Sequence, residues 1–368
     1  MKKQYISISI VLAAVIGAAL CAFSCSSSKK NFSEREWRER VEKTAVAALY
    51  APHKKDGRYF NPWMPMEDKG LISVLEWKMT SGSTYTEYEK KFRPEIHRNP
   101  LQRIRDLGNA DFILWIGHNT FLIRMNGEYW LTDPMFSERA LLPKRKTPPG
   151  MTLEEIKKLG GPLNVVISHN HYDHLDVDSI EELPPGTTAY VPSGLKEYVK
   201  SLGVQHVVEL DWWQNTVTKN GTKLTALPAQ HWSKRINQGT NSTLWASFML
   251  ESPKVNVYLG GDSGYFVGYR EFGRKFKRID YALLPTTAYH PRWFMHYPHM
   301  NVDEALRAFH ELGAKYFVPT QWGTFELGDA PVGYPVIDLK RKIKAAALDP
   351  SRFPVPGIGG IIVIDRNK

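Results

Sequence analysis

The sequence predicts a mixed α/β (α+β) fold of packed sheets covered by helices, on three observations. From Asp111 onward, short runs rich in β-branched and aromatic residues recur with turn signals between them. Helix-like stretches interrupt those runs near 153–158, near 194–202 and over Val302 to Leu312. Neither an internal repeat nor a low-complexity block breaks the region. Alternation of this kind buries sheets against one another beneath an outer layer of helices.

The elements follow in order. Lys2 and Lys3 precede an apolar stretch from Ile6 to Leu20, and small residues come next, the pattern of a secretory signal. Ala22-Phe23-Ser24-Cys25 resembles a bacterial lipobox, with alanine in place of the usual leucine, and nominates Cys25 for lipidation. Residues 1–25 are therefore expected to be a lipoprotein signal peptide, and the mature chain a membrane-anchored lipoprotein of the bacterial cell envelope. The alternative is an uncleaved transmembrane anchor. Both cysteines lie in this segment, so an internal disulfide is excluded after cleavage.

Residues 26–105 read as a polar tether and a helical extension packed on the core. Ser33 and Glu36 form a capping-box pattern ahead of a helix to about Tyr50. A second helical stretch covers Leu71 to Met79, and 81–98 is polar and charged, a loop or an irregular helix. Residues 106–368 form the main domain. Strands are expected at 111–116, 120–125 and 129–132, with Asn126-Gly127 as a hairpin turn. Further strands are expected at 165–168, 188–191, 205–210, 223–226, 244–251, 255–259, 282–285, 316–319 and 361–364.

The densest chemical signal follows Val165-Val166-Ile167: His169-Asn170-His171-Tyr172-Asp173-His174. Imidazole nitrogen and carboxylate oxygen are the donors preferred by a borderline cation such as zinc. Alternate histidines in an extended loop converge on one ion, and the Asp-His pair beyond them faces a neighbouring point. One loop cannot complete two sites, so later donors are needed. His231 and Asp262 each follow a strand-like run, and Gly260, Gly261 and Gly264 let the backbone at Asp262 approach a ligand closely.

This order resembles the metallo-β-lactamase superfamily. Trp115-Ile116-Gly117-His118, Leu131-Thr132-Asp133-Pro134, Gln230-His231-Trp232, Pro291-Arg292-Trp293-Phe294 and Trp322-Gly323-Thr324-Phe325 are similar to one branch of it. That branch holds the N-acyl-phosphatidylethanolamine-hydrolysing phospholipase D and its bacterial relatives. The resemblance implies an αβ/βα four-layer sandwich with metals at one sheet edge. It makes 106–368 a catalytic domain with His169, His171 and His231 on one zinc ion. Asp173 and His174 fall to a second ion, and Asp262 to both. Asp133 is implied to orient the histidine loop, although an Asp-Pro turn explains it equally. The family's last ligand is a histidine, where this chain carries Gln321. An amide oxygen is a poorer zinc donor than imidazole. Gln321 binding weakly, His299 or solvent filling the gap, and a second site empty or loosely held are all compatible, and each makes the second site the weaker. Iron or manganese would suit similar donors.

The implied reaction is hydrolysis of a phosphodiester by a solvent molecule activated between the ions, with phospholipase D regiochemistry on N-acyl-phosphatidylethanolamine-like glycerophospholipids. Asp173, Asp262 and His299 are the candidate catalytic groups, Asp173 or solvent supplying the leaving-group proton. Arg292, Trp293 and His296 form a candidate substrate lip, Arg292 reading equally as a phosphate contact or an ion pair. His118 is either near the metals or an ordinary hydrogen-bonding residue. A net charge of +10 is spread along the chain without a nucleic-acid motif, which favours phospholipid over nucleic acid. Homodimerisation stays open. Two other functions compete: hydrolysis of a lactone, ester or β-lactam on the same metals, and an envelope lipoprotein with weakened catalysis that binds lipid or a partner.

Overall fold

Seven strands build the first sheet of the computed structural model, which describes residues 32–364 apart from 68, 81 and 83. In spatial order they are Ile361–Val363, Phe112–Gly117, Thr120–Met125, Glu128–Thr132, Leu163–Val166, Thr188–Pro192 and His206–Leu210. The first four pair antiparallel and the last four parallel. The second sheet has six strands, ordered Tyr316–Thr320, Tyr281–Pro285, Asn256–Leu259, Ser247–Glu251, Lys223–Leu227 and Asn215–Val217. The three at the Tyr316 end are mutually parallel.

Side-chain alternation assigns the layers. In Phe112–Gly117, Ile113 and Trp115 enter the core between the sheets with Leu224, Phe248 and Val257. Phe112, Leu114 and Ile116 point the other way, onto Ile104, Leu153, Ile156 and Val199. These belong to, or cap, the helices Pro100–Asp106, Leu153–Lys157 and Lys196–Ser201. Every position of this strand is buried, as a strand covered on both faces requires. On the far side, Ala305, Phe309 and Leu312 of helix Val302–Leu312 join the second sheet's core. The result is helix, sheet, sheet, helix, the four layers that the family resemblance implies.

The expected elements stand with small boundary shifts, and two long helices were missed. Gly268–Lys275 contains Gly268 and Gly273, which depress helix propensity. Gly273 packs where a side chain would strike the backbone of Glu311, so a close helix–helix approach explains its presence. Tyr334–Ala345 begins with Pro335 in its first turn, a permitted position that reads as loop from sequence. Residues 81–98, expected to be irregular, hold the short helix Glu87–Lys91 with a complete Thr86–Glu89 capping box.

The N-terminal extension clasps the second-sheet side. Helix Glu34–Glu42 ends sooner than expected, and a 3-10 turn, Val46–Tyr50, takes up the remainder. Trp37 is buried and donates from Nε1 to Glu304 at 3.1 Å, while Arg307 pairs with Glu42 at 2.8 Å. The expected signal peptide, Cys25 and the 26–31 tether lie outside the described residues. Among the described residues, no helix is long and apolar enough to cross a membrane.

Candidate metal centre

All the candidate ligands leave the same edge of the sandwich, because parallel strands end together. Leu163–Val166 runs into the histidine loop, Glu128–Thr132 into Asp133, Asn256–Leu259 into Asp262, and Tyr316–Thr320 into Gln321. Gly261 has φ +59°, and a side chain there would meet Ser168 Cβ at 2.9 Å and Ala246 O at 3.1 Å. A bare backbone is what lets Asp262 come up against the histidine loop.

Two clusters result. His169 Nε2 and His171 Nδ1 are 2.8 Å apart, His231 Nε2 is 3.2 Å from His171 Nδ1, and Asp262 Oδ2 is 3.3 Å from His231 Nε2. Asp262 turns its other oxygen, Oδ1, to His174 Nε2 at 3.2 Å. Asp173 Oδ2 is 3.3 Å from the same nitrogen and 2.9 Å from His118 Nε2. The donor atoms of His169, His171, His231 and Asp262 lie within 4.8 Å of one another, as do those of His118, Asp173 and His174. Asp262 links the two groups.

Hydrogen bonding on the outer side sets the tautomers. His231 Nδ1 faces Pro298 O at 3.2 Å; a carbonyl only accepts, so Nδ1 carries the proton and Nε2 offers a lone pair to the cluster. His174 Nδ1 donates to Asp133 Oδ2 at 2.7 Å, aiming Nε2 at Asp173 and Asp262. Asp133 also accepts from Ser168 N at 2.6 Å, Ser168 Oγ at 2.7 Å and Asn119 Nδ2 at 2.6 Å. It thus holds the loop's first residue and its last histidine. Ser168 Oγ in turn lies 2.9 Å from His169 Nδ1.

The electrostatics suit cations. Burial, reinforced by neighbouring imidazoles, pushes the pKa of His169 and of His231 well below the ordinary value and takes His171 to about 4. Three neutral imidazoles therefore converge. Burial also resists charge on His174, but Asp262, Asp173 and Asp133 outweigh it and hold that ring well above its ordinary value. The second cluster is a place where carboxylates demand positive charge. Burial works against ionised Asp173 and Asp262, yet His174, with His118 at Asp173 and His231 at Asp262, keeps both well below the usual carboxylate range. His171 Nε2 and His118 Nδ1 are buried without a hydrogen-bond partner among the described residues. Converging neutral nitrogens beside two ionised carboxylates fit a pair of divalent ions.

The remaining candidates divide. Gln321 is buried beside Asp262, but its Nε2 donates to Gly261 O at 3.1 Å and also to Asp262 Oδ1. Since Gly261 O is purely an acceptor, the nitrogen faces the carboxylate, in contrast to the oxygen ligation weighed from the sequence. His118, not Gln321, brings the additional nitrogen to Asp173. His299 stands with its ring centroid 5.5 Å from that of His231. Burial lowers its pKa, and its Nδ1 has no partner among the described residues.

Arg292 departs from the phosphate-contact reading. It pairs with Glu34 at 2.6 Å and Glu304 at 2.9 Å and donates to His299 O at 3.1 Å, so its donors are committed to fastening the N-terminal helix. His296 departs from the substrate lip as well: it stacks on Phe32 at 4.5 Å and meets Trp37 edge-on at 4.6 Å, within that same junction. Trp293 packs edge-on against Phe294 at 5.5 Å.

Sequence reasoning missed Arg235. Its Nη1 donates to Asn170 O at 3.1 Å and Leu175 O at 2.8 Å, and its guanidinium lies 4.2 Å from the Tyr172 ring, pinning the histidine loop from outside. Its place four residues after His231 was the available signal. Ser168, directly before His169, was equally within reach.

Residues 129–322 match the family described as "Beta-lactamase superfamily domain". An uncharacterized protein of Mycobacterium tuberculosis is 33% identical over 331 residues, covering 83% of this chain and 83% of that protein. A Caenorhabditis elegans protein named N-acyl-phosphatidylethanolamine-hydrolyzing phospholipase D 1 is 36% identical over 234 residues, 59% of this chain and 65% of that one. Among solved structures, Igni18, a metallo hydrolase from Ignicoccus hospitalis, superposes with a TM-score of 0.55 at 21% identity, covering 70% of this chain and 99% of that one.

Proposed function

The chain belongs to the metallo-β-lactamase superfamily and is a metal-dependent hydrolase, and from that premise we propose that it is a zinc-dependent phosphodiesterase of phospholipase D type acting on N-acylated glycerophospholipids. The observation that carries the reading is Asp262 shared between a three-histidine cluster and the His118–Asp173–His174 cluster. The likeness to the nematode phospholipase supplies the substrate class. Two bound divalent ions supply a water nucleophile at neutral pH and neutralise charge on the phosphoryl oxygens.

The chain's own residues do the rest. Asp133 and Pro298 O hold ligand side chains and Arg235 holds the loop backbone that carries them, so little reorganisation is needed during reaction. Asp173 stays ionised against His118 and His174, so it carries no proton to give a leaving group and is placed instead to hold a cation. His299, beside His231, is kept neutral by burial and is the candidate proton acceptor there. Helix Leu71–Thr80 exposes Ile72, Leu75 and Met79 while its Trp77 packs on Phe294 at 4.9 Å. That apolar face suits acyl chains, and anchoring in the bacterial envelope through a lipidated Cys25 would keep it at a membrane.

The test incubates zinc-loaded protein with vesicles of N-acyl-phosphatidylethanolamine, beside a lactone and a simple ester. Phosphatidic acid and a fatty acylethanolamide are the expected products. Turnover of the lactone or ester with no diester cleavage would replace this reading with the other hydrolase.

A further inference from the structure

The strand that delivers His118 ends beneath a buried cation. Arg145 lies on the segment that follows Asp133 and is 9% exposed. Its Nη1 donates to Met135 O at 2.7 Å and its Nε to Thr147 O at 3.2 Å. Both acceptors are backbone carbonyls, so the loop fixes where the guanidinium lies. Its Nη2 is buried without a hydrogen-bond partner among the described residues. That nitrogen rests on Gly117, where an added side-chain carbon would meet it at 2.8 Å and Thr324 Oγ1 at 3.3 Å. Gly117 has φ +140°, and strand Phe112–Gly117 shifts register between Trp115 and Gly117. The bare Cα lets the guanidinium close over the strand exit just before His118. Two contacts carry the placement onward. Thr324 Oγ1, against the same Gly117, accepts from His118 N at 2.8 Å. The Phe325 ring has the Arg145 guanidinium 5.4 Å from its centroid and meets the His118 ring edge-on at 5.4 Å. His118 is thereby kept in left-handed backbone, φ +51°, which few residues other than glycine adopt. Its Nε2 reaches Asp173 Oδ2 at 2.9 Å.

We propose that Arg145 is the positioning residue for His118: its guanidinium, fastened to the Asp133 loop, packs on Gly117 and Phe325 and holds the imidazole against Asp173. The proposal rests on His118, Asp173 and His174 being the donors to the second ion, and not on the identity of the substrate. An enclosed donor without an acceptor is unfavourable by itself. A lysine could reach Met135 O, but it has no plane to lay over a bare Cα and a ring. The geometry therefore accounts for arginine at this position and glycine at 117 together, since each needs the other's shape.

The test uses full-length protein as wild type, Arg145→Lys, His118→Ala and the double variant. Zinc is titrated by calorimetry so that two equivalents are resolved. Cobalt(II) then replaces zinc, and its visible absorption reports the ligands around the second equivalent. Arg145→Lys keeps the charge and is expected to weaken the second equivalent about tenfold or more, as loss of support behind a ligand does. The first equivalent should stay within about twofold of wild type, the scatter of independent sites. The cobalt bands of the second equivalent should shift. In the His118→Ala background the same change should weaken the second equivalent no further, because the side chain it positions is gone. An arginine that only braces its loop would lower both equivalents alike and would lower them again without His118. That pattern, or a second equivalent untouched by Arg145→Lys or by His118→Ala, would overturn the proposal. If Arg145→Lys does not fold, Phe325→Leu removes the ring between the two side chains and should weaken the second equivalent in the same sense; an unchanged value there would sink the proposal. Metal is read without substrate, so the phosphodiesterase reading fails separately: a protein that cleaves no diester loses that reading and keeps this one.

Discussion

His174 donates from Nδ1 to Asp133 Oδ2 at 2.7 Å, and Asp133 spends its other contacts on Ser168 and Asn119. The aspartate ending one strand thereby sets the direction of a histidine that follows the next. Asp133→Asn retains size but loses the charge and an acceptor. Its zinc affinity should fall about 10- to 100-fold, the usual cost of losing a partner behind a metal ligand. Competition with a chromogenic chelator measures this. An unchanged affinity would mean that Asp133 serves only its turn.

Arg235 crosses outside the histidine loop to hold Asn170 O and Leu175 O. Arg235→Ala leaves two buried carbonyls without their donor, and should destabilise the protein by about 2–3 kcal/mol in urea unfolding. Arg235→Lys should recover only part of this, since lysine lacks the planar face lying against Tyr172. Full recovery by lysine would show that charge alone matters.

Gln321 faces Asp262 with a donor nitrogen. Gln321→His replaces a neutral amide by an imidazole and should tighten the second equivalent of zinc by about tenfold or more, leaving the first unchanged. His118→Ala should weaken the second equivalent, because His118 Nε2 is the remaining nitrogen at Asp173. Calorimetric titration resolves the two equivalents. A second equivalent indifferent to both changes would remove His118 and Gln321 from the site's neighbourhood.

Acid should destabilise the metal-free protein earlier than its carboxylates predict. His171 titrates near 4 when folded against 6.5 ordinarily, and His169 and His231 are also lowered. Unfolded chains therefore bind more protons than folded ones as pH falls from 6.5 toward 4, and stability declines across that window. His174 acts in the opposite sense: its raised pKa adds stability that is lost only as pH climbs through its folded value. Asp173 and Asp262, with lowered values, add stability present above 3.8 and lost below it. Three depressed histidines against one raised one predict a falling urea midpoint from pH 7 to 4.5. A flat profile would show that these rings are not buried together.

Local patterns in the sequence carried the packed sheets beneath helices and the histidine loop, and the family resemblance carried the four-layer order. The unbroken apolar run Phe112–Gly117 marks a strand covered on both faces, and the spacing from His169 to His174 marks one loop. Helix Gly268–Lys275 escaped because its glycine is explained only by Glu311 of another helix. The duty of Arg292 was illegible for the same reason. Its partner Glu34 lies far from it in sequence and reaches it only through the folded N-terminal extension. Gln321 was visible as an anomaly, but its orientation depends on Gly261 O across the sheet.

The most direct measurement is zinc bound per chain by equilibrium dialysis, on wild type and on Asp262→Ala. The account predicts two equivalents, the first tighter than the second, and severe loss of both in the variant, because one carboxylate serves both clusters. Wild-type protein that retains no stoichiometric metal, or a variant that still binds two ions as tightly, would contradict it.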